Sequence, residues 1–519
     1  MSPSPTFMTT NSLDVDRKRK DLERRIIWKL DLHVLPSLAL LWLVNFIDRI
    51  EQTSEMQGLE RDTKLRGDQF NICLTVFYVS YIIVELPSNL VMKKLKPSRW
   101  LPLLVALWGM VTTLSGLVQN FSGLIAIRFF LGLCEGGLLP GMMLYLSTIY
   151  KRHELQSRVG IFYASASLSG AFGGLIATAI IKMDGVGGLA GWRWIFVLEG
   201  IATVAAAGLT GLFLPADLES AKFFTDEERG FALNRFKADY SPASLEELSK
   251  SETVYAVIVD DAEVKEPVDV LSTDTETSQQ EEEKFEWREV MRGARDPQMW
   301  FVAFSYMGII TSIYSFSLFL PTIITGLGYS GGSAQLHTVP PYVPAVVLTV
   351  VVSVLADKLK WRGPFILIML PVSMVGYILA IVATNNTQRY IAVFFIAAGI
   401  YPCAPCALSI LPNNVSPHYK RATAVALQIG ISNCAGFVAT FSYTSDQAPD
   451  YKRGHTITLA FVVMSWLFMA ANVSYCLWEN RARASGRRQS NLERYQELWN
   501  TGKTRAPIGD RHPDFRHTL

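Results

Sequence analysis

Twelve apolar runs, each long enough to cross a bilayer, set the limits on what this chain can fold into. About 20 consecutive apolar residues span the hydrocarbon core as a helix, and a helix satisfies its own backbone hydrogen bonds where no water can. The runs cover residues 34–50, 70–92, 100–118, 124–150, 159–181 and 192–214, then 299–325, 335–356, 365–383, 390–411, 422–443 and 456–478. A polar stretch parts the sixth from the seventh. The expected fold is therefore an all-α membrane protein of twelve transmembrane helices in two six-helix halves, the layout of a secondary transporter. Its divisions are an N-terminal tail (1–33), a first half (34–214), a linker (215–297), a second half (298–478) and a C-terminal tail (479–519). Only 18% of the 519 residues are charged, and they gather in tails and loops instead of spreading as on a soluble surface.

Basic residues in the connections fix an expected orientation. Arg17, Lys18, Arg19, Lys20, Arg24 and Arg25 precede the first run; Lys93, Lys94, Lys96 and Arg99 follow the second; Lys151, Arg152 and Arg158 follow the fourth. Lys358, Lys360 and Arg362, then Lys420 and Arg421, then Arg481 and Arg483 continue the alternation in the second half. Intervening loops are poorer in Lys and Arg. An excess of these residues marks the cytoplasmic side, so both termini and the linker are expected in the cytoplasm, with the plasma membrane as the location. The first 33 residues are polar and basic and lead directly into a span, so the first helix is expected to act as its own insertion signal.

Two charged pairs stand inside the apolar runs. Asp48-Arg49 closes the first, and Arg128 and Glu135 lie seven residues apart in the fourth, about two helical turns, on one side of the helix. An ionised side chain in a span costs several kcal/mol unless a partner or a wet cavity receives it, which makes these residues functional candidates. They fit proton-linked handling of an anion. The plainer reading is that Asp48-Arg49 snorkels to the headgroups and that the other pair merely locks helices together.

Other signals exclude other functions. No nucleophile-base set, nucleotide loop or metal-ligand cluster is visible, so no enzyme, cofactor, metal or nucleic-acid partner is expected. A proton gradient is the expected driving force, a small molecule and the bilayer the expected partners, and a monomer the working unit. All six cysteines fall in the runs, and Cys403 and Cys406, set between prolines, mark a softened helix more readily than a redox pair. In the linker, Thr225-Asp226-Glu227-Glu228 reads as a capping box opening a short helix through Phe231, Leu233 and Phe236. The stretch 241–284 is acidic and too poor in apolar residues to order itself, and Trp287 and Val290 suggest a second amphipathic helix after it.

Several motifs together resemble a known group. Phe77-Tyr78-Val79-Ser80-Tyr81 with Glu85-Leu86-Pro87-Ser88-Asn89, Arg128-Phe129-Phe130-Leu131-Gly132 with Glu135-Gly136-Gly137, and Gly191-Trp192-Arg193-Trp194 are similar to the major facilitator superfamily. Pro340-Pro341-Tyr342 and Asn413-Asn414-Val415 agree in the second half. The chain further resembles the fungal allantoate-permease-type branch of the anion:cation symporters. That resemblance implies alternating access by two halves and small carboxylate or vitamin substrates. It also implies that Arg49 meets the substrate anion, that Asp48 and Glu135 carry protons, and that Arg128 biases Glu135. The run after Arg49 departs from the pattern, because Glu51 and Glu55 bring extra acids, which leaves room for a zwitterion or a cation.

Asp357, Lys358 and Arg362 resemble the superfamily's gate motif, against a plain orientation signal. Tyr78, Tyr81, Tyr314, Gln428 and Asn433, with Ser165, are polar groups in apolar helices. Each is a candidate substrate contact or an interhelical hydrogen bond. Gly170-Ala171-Phe172-Gly173-Gly174 lacks the proline of drug:proton antiporters, so proton-coupled symport stands ahead of an efflux antiporter. A non-transporting nutrient sensor is the third reading; it would gain from a folded tail, and neither tail reads as folded.

Overall fold

The computed structural model describes residues 6–54, 59, 62–65, 69–151, 154–240, 285–328, 331–443, 447 and 450–519, without the side chains of residues 49–54 and of some other helical positions. The acidic stretch 241–284 and Glu55 therefore lie outside the described residues, as do the side chains of Arg49 and Glu51.

The first half runs through α1 (Thr6–Ser54), α2 (Gln69–Leu95), α3 (Pro97–Ser115), α4 (Phe121–Glu135), α5 (Leu138–Ile149), α6 (Leu155–Ile181) and α7 (Gly191–Phe213). Two linker helices follow, α8 (Asp226–Tyr240) and α9 (Trp287–Ala294). The second half holds α10 (Pro297–Gly326), α11 (Gly331–Leu359), α12 (Gly363–Val382), α13 (Asn386–Ile400), α14 (Cys403–Asn414), α15 (His418–Asn433), α16 (Ala435–Ser442) and α17 (Lys452–Ala484), and α18 (Ser490–Asn500) lies in the tail. With α4–α5, α13–α14 and α15–α16 each forming one broken span, these helices make twelve spans. Among the described residues, nine helical segments are apolar and long enough on composition alone to cross a membrane.

The fourth span breaks where Gly136 and Gly137 press against α2. A Cβ on Gly137 would fall 1.9 Å from Ser88 Oγ, and one on Gly136 would fall 2.5 Å from the Tyr81 carbonyl oxygen. The tenth span breaks at Tyr401-Pro402, before Cys403, in line with the prolines there. Cys403 and Cys406 are not joined by a disulfide, and Cys403 donates to the Gly399 carbonyl at 3.1 Å.

Helix pairing repeats between the halves. In the first, α1 packs on α6, α2 on α4 and α3 on α7; in the second, α10 packs on α15, α11 on α13 and α12 on α17. Numbered as spans, 1–5, 2–4 and 3–6 become 7–11, 8–10 and 9–12, as a two-fold repeat requires. The seam between halves is built by α6 against α11 and by α2 against α15 and α16. A Cβ on Gly160 of α6 would meet Ser353 Oγ at 2.1 Å, so small residues bring these backbones together.

Both tails depart from the expectation. Helix α1 begins at Thr6, so the basic residues Arg17 to Arg25 ride on a continuous helix into the first span. Beyond α17 the chain folds back over the end of the second half. The Asn480 side chain exchanges two hydrogen bonds with the His517 backbone, both at 2.8 Å, and Asn414 receives the Thr518 N–H at 2.8 Å. Arg483 donates to the carbonyls of Asp510, His512 and Phe515. The partners are backbone carbonyls and distant loops, which composition does not register.

The linker helices follow the sequence reading. Thr225 N–H donates to Glu228 Oε2 at 3.0 Å and Glu228 N–H to Thr225 Oγ1 at 3.3 Å, a reciprocal capping box. Lys29 of α1 donates to both oxygens of Glu228 at 2.8 and 2.7 Å and, with the Thr225 amide, holds that carboxyl below its ordinary pKa.

Candidate substrate and proton pathway

Three spans of the first half meet in one polar knot. Asp48 of α1 is fully buried and accepts from Trp108 Nε1 of α3 at 3.2 Å. Asn45, one helical turn earlier, donates from Nδ2 to Glu135 Oε1 of α4 at 2.7 Å. Arg128, also buried, lies within electrostatic reach of both Asp48 and Glu135, and of Cys73 from α2. The four-residue turn of α1 and the seven-residue spacing on α4 thus direct all three charged groups to one place. Snorkelling does not describe Asp48, since no part of it reaches the protein surface. Asn45 and Trp108 were not singled out in the sequence; Asn45 could have been, lying three residues before Asp48.

The polar candidates divide. Tyr314 of α10 donates to Asn433 Oδ1 of α15 at 3.0 Å, and its ring lies 6.0 Å from that of Tyr78 on α2, across the seam. Tyr78 also packs on Phe437 at 5.8 Å. Tyr81 lies near Tyr306, whose hydroxyl meets that of Tyr163 at 3.3 Å, so an aromatic and hydroxyl-bearing surface runs between the halves. Gln428 stands apart, donating to the Ala407 carbonyl at 3.0 Å as an interhelical tie. Ser165 instead donates to the Phe162 carbonyl of its own helix at 2.5 Å.

A further buried acid joins this surface. Glu85 of α2 is 1% exposed, and its carboxylate faces Gly430 and Asn433 of the opposite half, with Asn433 short of the geometry of a formed hydrogen bond. Its signal in the sequence is a glutamate in an apolar run, which the surrounding motif Glu85-Leu86-Pro87-Ser88-Asn89 masks.

At the end of the molecule that carries both tails, Asp357 of α11 accepts from the Ser157 N–H at 2.5 Å, at the start of α6. First-turn amides of a helix have no partner within it, so this acid caps a helix of the other half. Arg362 reaches Asp357 at 3.4 Å and is itself buried, whereas Lys358 is exposed and stays outside the contact. Arg158, one residue after Ser157, forms a two-pronged pair with Asp31 of α1 at 2.9 and 3.1 Å.

The Major Facilitator Superfamily pattern matches residues 38–472. The chain belongs to this superfamily. An uncharacterized transporter of Schizosaccharomyces pombe is 35% identical, over 88% of this chain and 84% of its own length. The high-affinity nicotinic acid transporter of Saccharomyces cerevisiae is 27% identical over 98% of this chain and 87% of its own. Among solved structures, the superfamily's proton:xylose symporter XylE, bound to 6-bromo-6-deoxy-D-glucose, matches with a TM-score of 0.64, covering 85% of this chain and 96% of that one at 14% identity. That likeness speaks for the fold. This major facilitator protein is a multi-pass membrane transporter of small molecules, not an enzyme.

Proposed function

We propose that the chain is a proton-coupled symporter of a small organic monoanion, working by alternating access as a monomer in the plasma membrane with both termini in the cytoplasm. The observation that carries this reading is the buried knot of Asp48, Glu135 and Arg128. Charge balance in a low-dielectric interior gives it a mechanism. On this reading Arg49 joins Arg128, so that two guanidinium groups balance the carboxylates of Asp48 and Glu135 when the site is empty. Entry of one substrate carboxylate is then balanced by one proton on Asp48 or Glu135, which couples one proton to one anion. Arg49 is assigned to the substrate and the other three groups to the proton. Tyr78, Tyr81, Tyr314 and Asn433 are assigned to the substrate's uncharged part, while Gln428, tied to Ala407, holds helices.

Likeness to the nicotinic acid transporter makes nicotinate the first substrate to test. Purified protein in proteoliposomes should accumulate labelled nicotinate, or another member of a panel of vitamins, sugar acids and ureides, when the outside is made acidic. Uptake of one monoanion with one proton is electroneutral, so it should respond to the pH gradient and not to membrane potential. Arg49→Lys keeps the charge and loses the planar fork, so apparent affinity should fall about tenfold or more, the scale of one charge-assisted hydrogen bond. Gradient-independent uptake of every panel member would end the symport reading, and accumulation driven the opposite way would favour efflux.

A further inference from the structure

A cavity of about 470 Å³ opens at the end of the second half, far in the chain from the charged knot, among the linker helix α9, the start of α15, the end of α17 and the folded tail. Six cations line it, Arg288, Arg292, Arg295, Lys420, Arg483 and Arg511, against two lining acids, Asp296 and Asp510. Nearby carboxylates are already engaged. Lys420 binds Asp296 at 2.6 Å and also Asp510; Arg292 binds Glu289 at 2.5 Å and Asp510 at 3.1 Å; Arg483 binds Glu479 at 3.1 Å. Arg288, Arg295 and Arg511 form no direct ion pair with a carboxylate among the described residues.

Like charges drawn together without counter-charges repel, and the repulsion is larger where water is partly excluded. Arg511 registers this, its pKa held below the ordinary value by burial first and then by Arg292 and Arg288, with Glu289 and Asp510 acting the other way. The folded tail thus brings one acid, Asp510, which Lys420 and Arg292 engage, and one cation, Arg511, whose crowding an added anion would relieve.

We infer that this cavity is a binding site for a multiply phosphorylated anion of the size of an inositol phosphate headgroup. A guanidinium fork matches phosphate oxygens in pairs, and the volume lies within the range of small-ligand sites. Exposed Trp287, Met291 and Trp300 flank the same helix and its junction with α10, as expected of side chains at headgroup depth. The source is either a phosphoinositide of the adjoining leaflet, of the kind that basic pockets at the membrane face recruit, or a soluble anion of the same chemistry.

The test uses the full-length protein. Binding of inositol trisphosphate and of inorganic pyrophosphate is measured by calorimetry in detergent, and thermal stability is compared between nanodiscs of phosphatidylcholine alone and nanodiscs with added phosphatidylinositol bisphosphate. Wild type should bind at least one probe at physiological ionic strength, more weakly as salt rises. The triple variant Arg288→Gln, Arg295→Gln, Arg511→Gln leaves every ion pair of the tail in place. It should keep its melting temperature without ligand and lose about tenfold or more in affinity. If it misfolds, Arg295→Gln alone, at an exposed position, should still weaken binding. Stabilisation by the lipid without binding of the soluble probes assigns the site to the leaflet, and tight binding of the soluble headgroup assigns it to a free anion. Absence of binding by all probes, or equal affinity in wild type and variants, overturns the proposal.

Discussion

Asn45 donates an amide hydrogen bond of 2.7 Å to the Glu135 carboxyl, and that contact makes a substitution available. Glutamine at 135 presents an amide oxygen to the same donor, so Glu135→Gln should fold and insert normally while losing the ability to take up a proton. Accumulation driven by a pH gradient should vanish, while exchange of labelled for unlabelled substrate across the membrane should persist. Both are measured in the same proteoliposomes, and retained gradient-driven accumulation would remove Glu135 from the proton path. At this scale the charged residues were legible because an ion in an apolar run has so few bland explanations. Asn45 and Trp108 were not, since amides and indoles occur in apolar helices without special cause; only their contacts with Glu135 and Asp48 give them meaning.

Among the elements, α8 illustrates local legibility and the tail its opposite. The capping box of α8 is written in four consecutive residues and forms as read. The docked tail depends on Asn480, Asn414 and Arg483, and nothing near residue 517 announces them. Its His517 has a pKa pushed down to about 4, by burial first and then by Arg483 of α17, with Asp510, Asp296 and Glu479 acting the other way. The ordinary value is 6.5, so the docked tail binds fewer protons than the released one. Docking is therefore at full strength above about pH 6.5 and weakens as pH falls from there towards about 4. Hydrogen exchange of the amides of residues 505–518, corrected for the intrinsic pH dependence, should show protection declining over that window. His517→Gln, which keeps the backbone pair with Asn480, should flatten the decline; a pH-independent wild type would contradict the assignment.

For the whole molecule, the central fact is that two similarly paired halves meet along a seam, and that Asp357 ties them together at the tail-bearing end. A hydrogen bond to a charged acceptor contributes about 1.5 to 3 kcal/mol, enough to shift a two-state equilibrium by tenfold or more. Asp357→Ala removes the cap that the second half places on Ser157, so the tail-bearing end should open. Spin labels on α6 and α11 at that end should show longer distances in the variant, and unchanged distances would mean the closure rests elsewhere. Deleting residues 241–284 should leave transport per correctly inserted molecule nearly unchanged, because the contacts described between the halves lie in the spans and so acidic a stretch reads as too poor in apolar residues to order itself. Loss of transport in surface-located protein would show that the stretch does more than join them.

The sequence by itself determined the class of the molecule. Apolar runs of bilayer length admit only helices, a polar gap divides them six and six, and basic loops alternate, because lipid leaves the backbone and the charges so little choice. It also marked where charge is costly, at Asp48, Arg128 and Glu135. Which groups meet was decided by tertiary structure alone. The approach of α2 to α15, the cap that Asp357 places on α6, and the crowding of Arg511 onto Arg288 and Arg292 join residues separated by hundreds of positions. Contacts of that kind depend on how helices pack against one another, and the pattern within any one helix does not contain them.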